Sequence, residues 1–314
     1  MNAEKAGRRT IKAISEVVNF TVLLVIVLLL AYAGYSLWDS KQIYRSAEKS
    51  NYAVYKPTVE NEGKSFRELQ LINADVIAWL SVYGTNIDYP VTQGEDNQKY
   101  INLNAEGQYS LSGSLFLDSG NHRDFMDFNS IVYGHHMEKK AMFGEIGNFA
   151  EKTMFDAHRY GNLYVDGKDY GIEFFAFMHA DAYDSKVFSP NIEGEARKEY
   201  LDGLFEKAIH KRAVRVSADD RIVLLSTCSS SSTNGRDILL GKITDVTFAD
   251  PFFTEETKRP AKGIMAGGNN SFLSRIELHP AAIVFAAAII LITRLIAYIH
   301  RSIQRKLKVK RLEI

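Results

Sequence analysis

The chain of 314 residues contains one cysteine. No internal disulfide can form, and no metal site built from several thiolates is available. Its 38 basic and 38 acidic side chains cancel to a formal net charge of zero. That removes any global electrostatic reason to expect a nucleic-acid partner. The eight histidines include no pair at i, i+4 spacing, which argues against a helical metal site. Internal repeats are missing, and low-complexity sequence is confined to the serine run at 229–232. What is present is ordinary globular usage, 24% charged and 11% aromatic, which excludes wholesale disorder.

Charge is also missing locally, from two long apolar runs. Residues 17–38 carry none. At about 1.5 Å per helical residue they would reach roughly 33 Å, enough to cross a hydrocarbon core. Lys5, Arg8, Arg9 and Lys12 precede this run, and Tyr32, Tyr35 and Trp38 gather at its far end like an interfacial belt. A cleaved signal peptide would have a shorter apolar stretch, usually ending at a small-x-small site, so the reading is an uncleaved membrane helix. The second run, 280–299, holds a single charge, Arg294, near enough to its end to snorkel. A buried or amphipathic helix is the alternative there, disfavoured by the uncharged stretch 281–293. Six basic residues follow within 301–311. Basic flanks at both ends place both termini in the cytoplasm and residues 39–279 outside it. The expected order is a basic cytoplasmic tail 1–16, a transmembrane helix 17–38, a stalk 39–64, a catalytic domain 65–250, a linker 251–279, a transmembrane helix 280–299 and a basic cytoplasmic tail 300–314.

Between the runs the pattern is mainly β. Ser65 followed by Glu68 has the form of a capping box, opening a short helix through Asn73. Residues 79–83 and 87–91, joined by Gly84-Thr85-Asn86, read as a hairpin. Further strands are expected at 114–118, 130–134, 162–166, 170–179, 221–227 and 238–248, with Asp166-Gly167 as a tight turn. One helix intervenes at 195–209. Strands that do not alternate with helices favour a barrel or sandwich over a βαβ sheet.

Two strand ends carry chemistry. An apolar strand runs into Cys228, a serine-rich loop follows, and Arg236 opens the next strand. Antiparallel pairing would bring the thiol beside a permanent cation, suited to a nucleophile and its oxyanion; the alternative is a buried structural cysteine. A second strand ends in Gly134-His135-His136. A histidine there can exchange a proton with an amine, and alternation lets only one of the pair face the site. The alternative is a surface or core-edge histidine.

The tetrapeptide Leu225-Ser226-Thr227-Cys228 followed by Arg236 resembles the signature of the sortase cysteine transpeptidases. The blocks DVIAWL from Asp75, GTNIDYPVTQ from Gly84, YIN from Tyr100, GSLFLD from Gly113, YGHHM from Tyr133 and MFG from Met142 resemble class B members in particular. The resemblance spans residues 65–248. It implies an eight-stranded sortase β-barrel with N-terminal helices and one inserted helix, flanked here by the two membrane helices. It implies Cys228 as nucleophile, His135 as general acid/base and Arg236 as the substrate-orienting, oxyanion-stabilising group. Ser226 and Asn102 match positions around the bound sorting peptide. No cofactor and no metal are implied. The partners would be secreted proteins with an LPxTG-like C-terminal signal and an amine acceptor, either a pilin lysine or a cell-wall precursor, at the outer face of a Gram-positive plasma membrane. The sequence departs from the class at Ser229, where some members carry an acidic residue, and in its second membrane run, which is commoner among pilin-polymerising sortases. Wall anchoring alone, simple hydrolysis and a catalytically silent scaffold are the alternative roles.

Overall fold

The computed structural model describes residues 2–58, 63–228, 234–253 and Arg294. The second apolar run, apart from Arg294, lies outside the described residues, as do the basic tail after it, the serine run and nearly all of the expected linker. The first run falls within α1, Asn2–Ser46, a single helix of 45 residues that is long and apolar enough to cross a membrane. Its part up to Lys41 belongs to one unit, and a second, compact unit runs from Gln42 to Gly263. Ala47 and Tyr52, expected in a stalk, are buried in the core, so packing begins well before residue 65.

After the end of α1 and two short turns comes α2, Lys64–Ile72. Its N-cap is Gly63 in the left-handed conformation, and Ser65 donates to the Lys56 carbonyl instead of capping the helix. The capping box therefore does not form. The hairpin β1 (Val76–Val82) and β2 (Asp88–Thr92) follows, then β3 (Leu115–Leu117), β4 (Asn129–Tyr133), α3 (Lys152–Ala157) and β5 (Tyr160–Val165). After these come β6 (Lys168–Asp181), α4 (Ala196–Lys207), β7 (Ala208–Lys211), β8 (Arg221–Cys228) and β9 (Gly235–Thr244).

The strands order as β5-β1-β2-β3-β4-β8-β9-β6-β7, and an additional β5–β6 pairing closes eight of them into a barrel. Closure depends on the length of β6. Its 14 residues pair with β5 at the start and with β9 through to the end, bending at an irregularity between Phe174 and Ala176. The β5–β6 connection is Asp166-Gly167, both at positive φ, the backbone that a two-residue hairpin turn of this hand requires.

Strand alternation sorts the core into two layers. Val223, Leu225, Leu239 and Phe177 face the barrel interior, while Ile222, Leu224, Ile238 and Met178 face outward under α4. Tyr200, Leu201 and Leu204 supply the buried side of that helix. The helix stops two residues before the expected Ile209. Ala208 and Ile209 instead open β7, an edge strand on β6. Where the α4 cover ends, the outer faces of β4, β8 and β9 are left open.

Candidate active site

Four consecutive aliphatic residues, Ile222 to Leu225, bury β8 on both faces and carry it to the barrel rim. Cys228 is its last residue and is exposed. On one side β8 pairs antiparallel with β9, with Cys228 directly opposite Arg236. The Arg236 guanidinium Nη1 lies 3.3 Å from Cys228 Sγ and donates a second contact to the Gly235 carbonyl at 3.2 Å. On its other side β8 pairs in parallel with β4, with Tyr133 opposite Ser226 and the Gly134 N–H donating to the Ser226 carbonyl. His135 follows two residues after the end of β4 and lines the same cavity as Cys228. The thiol therefore sits on the middle one of three neighbouring strands, with the imidazole and the guanidinium to either side.

The His135 ring is half-buried, and its Nε2 meets the Ile101 carbonyl oxygen at 2.8 Å. A carbonyl oxygen only accepts, so Nε2 carries a hydrogen. In the neutral ring Nδ1 is then the nitrogen available for proton exchange. His136 takes no part in the cavity, as strand alternation requires, and its Nδ1 is buried without a hydrogen bond among the described residues.

Cys228, His135 and Arg236 line one cavity of about 300 Å³. Its floor includes Tyr133 and Ser226; the segment Asn97–Ile101 forms one wall, and Ala182 and Phe188, between β6 and α4, form another. The lining combines the rings of Phe116, Tyr133 and Phe188 with polar groups. The Tyr133 hydroxyl and the Asn97 amide both donate to Asp118 Oδ2 at 2.9 Å, and Asp118 Oδ1 accepts the Gly120 N–H. Burial, then the Asp118 charge, push the Tyr133 phenol far above its ordinary range, so it remains a neutral donor. Among the described residues no cluster of histidine, cysteine or carboxylate side chains is arranged to hold a metal.

Of the residues expected around a bound peptide, Ser226 lines the cavity; it is buried, and its Oγ makes no hydrogen bond among the described residues. Asn102 is exposed at the end of the short turn Lys99–Ile101 and is not among the lining residues. Its neighbours Asn97, Gln98 and Ile101 are. The segment bearing them is tied down from behind, where Asp75 accepts from Lys99 Nζ at 2.7 Å and from the Tyr100 hydroxyl at 2.9 Å.

No protein-family model matches the chain. It is 31% identical over 219 residues to sortase B of Listeria monocytogenes, a match covering 67% of this chain and 88% of that protein. A solved sortase B from the type II pilus of Streptococcus pneumoniae is 46% identical and superposes with a TM-score of 0.51, over 57% of this chain and 98% of that one. A class B sortase of Streptococcus pyogenes involved in pilus biogenesis is 42% identical, with a TM-score of 0.53 over 58% of this chain and 99% of its own.

Proposed function

The chain belongs to the class B sortases, cysteine transpeptidases of the cell wall, and we propose on that premise that Cys228, His135 and Arg236 carry out the transfer. The observation that carries the assignment is their convergence on one cavity from the ends of three adjacent strands. In the first half-reaction the Cys228 thiolate adds to a backbone carbonyl of a C-terminal sorting signal, the threonine of an LPxTG-like motif. Arg236 stands beside the sulfur, where its guanidinium can hold the charge that develops on that oxygen. The C–N bond breaks, protonated His135 gives its proton to the departing amine, and a thioester remains. In the second half-reaction an acceptor amine adds to the thioester carbonyl and passes a proton to His135. The C–S bond breaks, restoring the thiolate and leaving a new amide. A thioester suits this exchange because it persists long enough to meet an amine.

The higher identity to the two pilus sortases favours a pilin lysine as acceptor over a cell-wall peptide precursor. The apolar helix α1 would hold the enzyme at the membrane, where secreted substrates also pause, raising the encounter rate through effective concentration. The proposal is tested by incubating the full-length chain in detergent with an LPxTG-like peptide and either a lysine peptide or a glycine peptide. A ligated product with the lysine peptide is expected. Cleavage with no ligation to either amine would contradict the transferase reading.

A further inference from the structure

One residue inward from the rim, a second polar row runs across β6, β9 and β8. His179 on β6, Asp237 on β9 and Thr227 on β8 are direct cross-strand partners. Alternation turns them to the barrel interior, opposite the outward face that carries Arg236 and Cys228. Asp237 is only 3% exposed. Its Oδ1 accepts from His179 Nδ1 at 2.7 Å, and its Oδ2 is so close to the backbone at Gly147 that a β-carbon there would lie 2.8 Å from it. The His179 ring is in turn held edge-on by Phe177 at 5.3 Å. The transfer chemistry uses none of these groups, yet a buried carboxylate is kept only where it is paired.

Its placement supplies a use. Asp237 immediately follows Arg236 in a strand that begins only one residue earlier, at Gly235. Consecutive residues in a strand point to opposite faces, so fixing the Asp237 side chain fixes the backbone from which the Arg236 side chain departs. We propose that Asp237, clamped by His179, is a positioning residue that aims Arg236 at the reacting carbonyl. The inference rests on the reading of Arg236 as the substrate-orienting group, and it adds two residues to the machinery that the catalytic signature does not contain.

The test is a double-mutant cycle on the full-length chain in detergent, reading kcat/KM for peptide transfer together with the rate at which iodoacetamide alkylates Cys228. His179→Ala and Asp237→Ala should each lower kcat/KM by at least about tenfold, the scale for a misaligned catalytic group. Alkylation, which builds no oxyanion, should stay within twofold. His179→Asn, which keeps a donor close to the Nδ1 position, should restore most of the loss. In an Arg236→Ala background neither substitution should cause further loss. Wild-type kcat/KM in His179→Ala, or an undiminished loss in the Arg236→Ala background, would overturn the proposal while leaving the role of Arg236 intact. Wild-type turnover in Arg236→Ala alone would overturn both. Because the His179 side chain is 44% exposed, its variants carry the test even if Asp237→Ala fails to fold.

Discussion

At the scale of single residues, the site is a matter of which side chains stand at the end of which strand. Replacing His135 or Arg236 by alanine is expected to cost at least about 10²-fold in kcat/KM, the magnitude of a lost acid/base or oxyanion donor. His136→Ala should stay within a few-fold, since it faces away from the cavity; steady-state transfer assays on the three variants decide this. Tyr133→Phe removes a hydrogen bond donated to the buried Asp118 carboxylate and should lower unfolding free energy by about 2 kcal/mol, read by denaturant titration. That Cys228, His135 and Arg236 share one cavity was legible in the sequence because each ends or opens an apolar run whose direction is plain. Asn97 and Ile101 were not. They lie in a loop segment whose place depends on Asp75, Lys99 and Tyr100 meeting across 25 residues of chain, and no local pattern marks that. Asn102 was named from the resemblance alone; it stands exposed beside the segment whose Asn97, Gln98 and Ile101 line the cavity.

At the scale of elements, the turn after His135 is the most constrained. Phe143 donates its N–H back to the His135 carbonyl, and a β-carbon added at Gly144 would collide with the Met137 carbonyl oxygen, which is backbone and cannot swing aside. Gly144→Ala should therefore distort this turn, with a fall in both melting temperature and turnover. A different outcome is expected for Leu204→Ala in α4, which empties a fully buried position on the outer layer and should cost about 2–4 kcal/mol of stability. Hairpin β1–β2 and strands β8 and β9 could be read from apolar periodicity and turn residues. The boundary at 207/208 could not, because Ala208 and Ile209 continue the helical apolar stripe and only pairing with β6 draws them into a strand. Ser65 misled for a similar reason, since a tertiary acceptor at Lys56 outcompeted the local capping bond.

For the whole molecule, the long strand β6 determines closure, and its pairing with both β5 and β9 is a non-local fact that no window of sequence contains. Eight of the nine strands were nonetheless legible, from apolar runs and family blocks along the chain; the edge strand β7 and the order of strands in the sheet were not. Ion pairs tie down the segments that wall the groove, and their carboxylates link part of the stability to pH. Burial alone would raise the Asp75 carboxyl, but hydrogen bonds from Lys99 and Tyr100 and the charges of Lys99 and Arg123 outweigh it and hold it below the usual range. The Lys207 contact does the same for Asp184, beside α4. Both folded-state values lie below the unfolded one, so this stability is complete above about pH 4 and is lost as pH falls further. The melting temperature should drop through that window, and the drop should be shallower in a variant carrying Asp75→Asn and Asp184→Asn.

The transfer chemistry depends most directly on the sulfur of Cys228. Full-length protein mixed with an LPxTG-like peptide, without any amine acceptor, and analysed by intact and tandem mass spectrometry should show an acyl adduct on residue 228 that hydroxylamine releases and Cys228→Ala abolishes. An adduct on another residue, or peptide cleavage that persists in Cys228→Ala, would contradict it.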